Sequence, residues 1–85
     1  MISASDAQTR VVISFLNSWN VYFKTDTPLY NPDSNAWLIP IVTLTNDKKI
    51  TVLSVNAATG EIDATQNGLN ELSEYVVNKK NEKTN

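Results

Sequence analysis

The chain has 85 residues and a net charge of −2, which is enough for one domain with a single hydrophobic core. It contains no cysteine and no histidine, so disulfides, thiolate nucleophiles and an imidazole base are excluded. Its seven basic residues are scattered, apart from Lys48-Lys49 at a predicted turn and Lys79, Lys80 and Lys83 in the tail, so no concentrated positive face for nucleic acid is expected. No apolar run approaches the about 20 residues that cross a bilayer.

The start of the chain, Met1–Arg10, has neither the basic beginning nor the apolar stretch of a signal peptide. A cysteine-free composition is typical of proteins that need no disulfides. We therefore expect a cytoplasmic protein that binds no membrane, no nucleic acid, no metal and no cofactor.

The first predicted element is an amphipathic helix over Ser5–Ser18. Ser5 and Gln8 have the spacing of a capping box, in which each side chain bonds the backbone amide of the other residue. Apolar residues then recur with the helical period and predict one buried face: Val11, Val12, Phe15, Leu16 and Trp19. We expect the large indole of Trp19 to fill the core.

A short strand is predicted over Asn20–Thr25, where aromatic and β-branched residues are concentrated. The next stretch, Asp26–Asn35, carries Pro28 and Pro32 among Asx and Ser residues, so it is predicted to be a long loop. Long internal loops often bind something. Tyr30, which lies between the two prolines, is the aromatic side chain that we most expect to be exposed.

The centre of the chain is predicted to be a β-hairpin, with Ala36–Thr45 paired to Lys49–Asn56. The first of these strands is apolar on both faces, so we expect it to be covered on more than one side. Pro40 cannot donate to a ladder and should lie at a bulge or with its nitrogen away from a partner strand. An uncovered hairpin edge would permit a homodimer.

Beyond the hairpin, Gly60 suits a turn with positive φ, and Ile62 begins a short return strand. A second helix is predicted over Gly68–Asn78, and the tail Asn81–Asn85 is predicted to be disordered. The expected fold is a single α+β domain over residues 1–80, with the order α-β-β-β-α and a three-stranded antiparallel sheet.

The turn Val55-Asn56-Ala57-Ala58-Thr59-Gly60-Glu61-Ile62 resembles the V-D-A-x-T-G-E-V-like turn that ends the hairpin of PepSY domains. Trp37 matches the aromatic residue that often starts the family's middle strand, and the predicted helix Ser5–Ser18 lies where the family has its first helix. Asn56 stands where the family usually has Asp. The resemblance covers roughly residues 4–64. It implies a non-catalytic module that binds or inhibits peptidases.

Two polar sets are candidates for other chemistry. Four acidic residues could supply a catalytic carboxylate pair: Asp26, Asp33, Glu61 and Asp63. Four residues offer the oxygen ligands that calcium takes: Asp26, Asn31, Asp33 and Asn35. The first set lies in predicted turns and at strand ends, where acidic residues are common. The second lacks the spacing, the glycine and the final glutamate of an EF-hand, so Asx turns are favoured.

The function expected from the sequence is a non-enzymatic protein-binding or inhibitory module. Its contact residues are predicted to be Tyr30, Asp33, Trp37 and Glu61. An alternative is a small effector from a mobile element, such as an immunity or anti-defence protein, whose negative charge would compete for basic surfaces.

Overall fold

The computed structural model describes residues 1–63 and 66–83. In chain order, its elements are helix α1 (Ala4–Val11), a π-helical turn (Val12–Leu16), strands β1 (Phe23–Thr25), β2 (Leu29–Asn31), β3 (Ala36–Thr43), β4 (Lys49–Asn56) and β5 (Ile62–Asp63), and helix α2 (Gln66–Lys83). The predicted α+β class is confirmed. The described residues form five strands, two more than expected.

Strand β3 is the centre of an antiparallel sheet. Strand β4 pairs along one of its edges, as predicted for the hairpin, and β5 pairs with β4. The other edge of β3 is shared by β1, which pairs Thr25 with Ile41, and β2, which pairs Leu29 with Leu38. The predicted long loop Asp26–Asn35 is therefore wrong in its middle, because the edge of β3 offers Leu29–Asn31 a ladder that the flanking prolines do not block.

Pro40 lies opposite the break between β1 and β2. Its carbonyl oxygen accepts a hydrogen bond from the Asp26 amide at 2.9 Å. The nitrogen and the carbonyl of a strand residue point to the same edge, so the Pro40 nitrogen faces this break and not β4. The register of β3 against β4 then shifts after Ile41, where β4 holds Ile50 as an extra residue. Of the two alternatives expected for Pro40, the nitrogen away from a partner strand is the one present, and the bulge lies in β4 beyond Ile41.

Helix α1 begins earlier than predicted. Ser3 is its N-cap, and the Ser3 Oγ accepts from the Asp6 amide at 3.0 Å. The Gln8 side chain donates to the Thr25 Oγ1 at 2.6 Å instead of reaching back to Ser5. The predicted capping box is wrong because a tertiary bond, from the Ile2 amide to the Ala57 oxygen, fixes the chain just before Ser3.

The helix also ends sooner than the predicted Ser18. It passes at Val12 into the π-helical turn, whose wider repeat moves later side chains around the axis. Val11 and Leu16 are buried, as the predicted stripe requires, but Val12 and Ile13 are exposed. Phe15 and Trp19 pack half-buried at the margin of the core. Trp19 thus joins the core only in part.

Both helices cover the same face of the sheet. The core is built from Ala7, Val11, Leu16, Phe23, Ile39, Ile41, Leu53, Val55, Leu72 and Val76. In β3 and β4 these are alternate residues, and the residues between them form the opposite face. We call the centre of that opposite face the outer patch and define it by Leu29, Leu38, Pro40 and Val52.

The outer patch has no second layer over it within the described part of the chain. Leu29 is 61 % exposed and Val52 is 39 % exposed, while Leu38 and Pro40 are half-buried. The expectation that β3 is covered on more than one side holds only in part: Ala36 and Val42 on this face are buried, but Leu38 and Pro40 are half-buried. Leu38 and Pro40 keep part of their surface open to solvent because both helices are on the other face.

Helix α2 is longer at both ends than the predicted Gly68–Asn78. It places Leu72 and Val76 in the core and continues to Lys83, so residues 81–83 of the predicted tail are helical. Residues 84 and 85 of that tail lie outside the described residues. None of the described helices combines the length and apolarity needed to cross a membrane.

The sidedness of the sheet can be tested with two neighbouring residues of β4. Leu53 is 1 % exposed on the helix side, so Leu53→Ala should lower the free energy of unfolding by about 2–5 kcal/mol. Val52 points outward, so Val52→Ala should cost less than about 1 kcal/mol. Urea denaturation followed by circular dichroism measures both, and equal losses would contradict the assigned faces.

Candidate functional site

Two turns meet at one end of the sheet. The β2–β3 turn occupies residues 32–35, and the β4–β5 turn occupies residues 57–61. Asn35 has a left-handed φ of 49°, and its carbonyl oxygen accepts from the Ala57 amide at 2.9 Å. This bond ties the two turns together. We call residues 31–35 and 56–61 the loop end.

The aromatic pair Tyr30 and Trp37 lies beside the β2–β3 turn. The two residues are partners across β2 and β3, and their ring centroids are 5.2 Å apart in an edge-on arrangement. The Tyr30 hydroxyl donates to the Asn35 Oδ1 at 2.6 Å, and the Trp37 Nε1 donates to the Ile2 carbonyl at 3.0 Å. Tyr30 is 40 % exposed, and Trp37 is half-buried. Both rings are therefore held in fixed orientations at the surface.

The β2–β3 turn is closed by its own polar side chains. The Asn31 Oδ1 accepts from the Asp33 amide at 3.0 Å, which makes the Asx turn favoured by the sequence. Asp26 forms a similar local bond, to the Thr27 amide at 2.7 Å. Asp33 itself is exposed. Among the described residues, no three acidic, histidine or cysteine side chains are grouped to hold a metal ion.

The β4–β5 turn is closed in the same way. The Asn56 Oδ1 accepts from the amides of Ala58 at 2.8 Å and Thr59 at 3.0 Å, and the Thr59 Oγ1 accepts from the Glu61 amide at 3.2 Å. Gly60 supplies the left-handed φ of 80° that the turn requires. Asn56 here acts as an oxygen acceptor, a role that an Asp carboxylate fills equally well.

The four predicted contact residues fall into two groups. Tyr30 and Trp37 touch, and Asp33 lies in the turn that joins their strands. Glu61 is exposed at the far side of the loop end. Glu61 precedes Ile62, which lies in the same cross-strand row as Tyr30. Three strand spacings, or about 14 Å, separate Ile62 from Tyr30.

A groove that the sequence did not indicate lies beside the β4–β5 turn. It has a volume of about 380 Å³ and is lined by Arg10, Ile13, Ser14, Phe15, Gly60 and Ile62. The Arg10 Nε lies 3.3 Å from the Asp6 carboxylate, and the Arg10 Nη1 lies 3.5 Å from the Gly60 oxygen. Because Asp6 balances the charge of Arg10, the groove suits an apolar group better than an anion. The sequence indicates this groove only through the spacing of Asp6 and Arg10. No sequence pattern indicates the π-helical turn, which makes Ile13 face outward.

Comparison of this chain with family models, curated proteins and solved structures finds no match. The resemblance to PepSY domains therefore rests on the sequence alone: the Val55–Ile62 turn, Trp37 and the position of the first helix. The assignment of a function rests on the geometry of the loop end.

The role of Asn56 in the β4–β5 turn gives a direct test. Asn56→Ala removes the acceptor of two amide hydrogen bonds and should lower the free energy of unfolding by about 1–2 kcal/mol. Asn56→Asp keeps an oxygen at the same place and should change stability by less than about 0.5 kcal/mol. Urea denaturation of the three proteins measures both effects. An unchanged midpoint for Asn56→Ala would show that these bonds do not hold the turn.

Proposed function

We propose that this chain is a non-enzymatic protein-binding module that contacts its partner through the aromatic pair Tyr30 and Trp37 and the adjoining β2–β3 turn. The observation that carries the proposal is the fixed, partly exposed position of the two rings. Trp and Tyr dominate the energetics of protein interfaces, because each buries a large area and still offers a polar group.

The hydrogen bonds of the two rings favour binding. A side chain that is already immobilised loses little conformational entropy when a partner covers it. Tyr30 is held through Asn35, and Trp37 is held through Ile2. Neither ring has to abandon its polar contact to present its apolar edge, so most of the buried area can contribute to affinity.

The charges around the aromatic pair suggest the character of the partner. Asp33 is exposed in the same turn, and Glu61 is exposed at the far side of the loop end. Charges at the rim of an interface raise the association rate with an oppositely charged surface more than they raise the affinity. A partner with basic residues around an apolar pocket fits this arrangement, and one that covers both turns also reaches Glu61.

The resemblance to PepSY domains supports a peptidase as the partner and inhibition as the outcome. Helix α1 and strand β1 precede the β3–β4 hairpin as in such a module, although β2 is an additional strand between β1 and the hairpin. The lack of cysteine supports a cytoplasmic setting for the interaction.

The proposal is tested by inhibition of purified peptidases, one from each mechanistic class, with a fluorogenic peptide as substrate. We expect the chain to slow at least one of them, and Tyr30→Ala to weaken that inhibition by about tenfold or more. Val21→Ala is the matched control, since Val21 is exposed beyond the opposite end of the sheet and should leave inhibition unchanged.

Two results would count against the proposal. If no peptidase in the panel is slowed or bound, the inhibitory function is wrong. If a peptidase is bound but Tyr30→Ala and Val21→Ala behave alike, the contact surface is wrong. Circular dichroism of both variants separates a lost contact from a lost fold.

A further inference from the structure

The outer patch is a continuous apolar surface. Leu29 and Leu38 are register partners, and so are Pro40 and Val52, in the next outward-facing row. Side chains that are partners across a sheet point to the same face and touch. Leu29 and Val52 are among the most exposed apolar residues of β2 and β4, so the patch is open to solvent. Contiguous apolar surface of this kind marks interaction sites.

One end of this face is basic. Lys24 and Lys49 flank Val42 in the same register row, and Lys48 lies in the adjoining turn. The Lys24 Nζ is 2.7 Å from the Asp47 carboxylate, whose hydrogen bond and charge raise the pKa of Lys24. Lys49 has no ion pair within residues 1–63 and 66–83. Its charge is available to a partner.

The other end of the face is acidic. Asp63 is the register partner of Ser54, so it shares the outward face with the row of Leu29 and Leu38. Glu61 and Asp33 stand exposed in the turns just beyond. The charge therefore changes sign along the strand direction, with the apolar centre between the two ends.

This pattern is complementary to itself. Consider a two-fold axis that runs across the strands, over the row of Pro40 and Val52. It places the Lys24–Lys49 row of one copy on the Leu29–Asp63 row of the other. Lys49 then comes close to Ser54 and Asp63, while Pro40 and Val52 pack on their own copies. A two-fold axis along the strands would instead stack the lysines on lysines. We propose that the occupant of the outer patch is a second copy of this chain, packed sheet against sheet with antiparallel strands.

The size of the face sets the expected affinity. The five strands together have 24 residues, which at about 4.8 by 3.3 Å each give a surface of roughly 380 Å². Stable interfaces bury about 800 Å² on each partner, so this dimer lies at the small, reversible end of the range. We expect a dissociation constant in the micromolar range.

Self-association at this face leaves the proposed contact surface free. Tyr30 and Trp37 alternate with Leu29 and Leu38 along their strands and so point to the helix-covered side. A dimer would carry two copies of the aromatic pair, one on each outward side. The result of the peptidase assay therefore does not decide whether the dimer forms.

Sedimentation equilibrium tests the location of the interface. Between about 10 µM and 1 mM protein, we expect the weight-average mass to rise from monomer to dimer. Val52→Lys should raise the dissociation constant at least tenfold, because it buries a charge in the apolar centre. Val77→Lys is the matched control: Val77 is an exposed valine on α2, away from the outer patch, and should leave the constant unchanged. Leu29→Lys is a second variant, should Val52→Lys fail to fold by circular dichroism.

The antiparallel arrangement has its own test. Lys49→Asp should weaken the dimer, and the double variant Lys49→Asp, Asp63→Lys should restore it, because the pair exchanges sign across the two-fold axis. Both effects should shrink at about 0.5 M salt, where charges are screened over a few ångströms. A monomeric mass at every concentration would overturn the proposal, as would a dimer that ignores both Val52→Lys and Leu29→Lys. Failure of the double variant to restore association would overturn the antiparallel packing.

Discussion

The pairing of β3 on both of its edges is the interaction on which the rest of the structure depends. Once β4 fills one edge and β1 and β2 share the other, alternate residues of β3 are committed to opposite faces. Ile39 and Ile41 then face the helices, while Leu38 and Pro40 face solvent. A proline is tolerated in this central strand only because the break between β1 and β2 lies beside its nitrogen.

Much of the fold can be predicted from the sequence where local preference and tertiary structure agree. The β3–β4 hairpin has β-branched residues in both strands and polar residues between them, and α2 has a clear stripe through Leu72 and Val76. Strand β2 could not be predicted, because Leu29–Asn31 is extended only through its pairing with β3. The π-helical turn also leaves no signal, since the apolar spacing from Val11 to Trp19 is the same as in an ordinary helix.

The candidate site was predictable in part for the same reason. Exposure of Tyr30 follows from its position between two prolines, which is a local property. Its contact with Trp37 follows from the register of β2, and the distance to Glu61 follows from two further strands. Sequence reasoning could therefore name the proposed contact residues, but it could not show which of them lie together. The outer patch was not predicted, because an apolar strand was expected to be covered on both of its faces.

The short connection between β3 and β4 has a consequence for how the chain folds during synthesis. Only residues 44–48 join the two strands, so the hairpin closes at little entropic cost and can form in about 1–10 µs. Helix α1, however, is made first, and its buried residues Ala7 and Val11 have no sheet to cover them until Asn56 has been added. At about 5–20 residues per second, that interval lasts several seconds on the ribosome. The sequence of α1 is weakly apolar and its first turn is capped by Ser3, which suits a helix whose buried face stays uncovered during this interval.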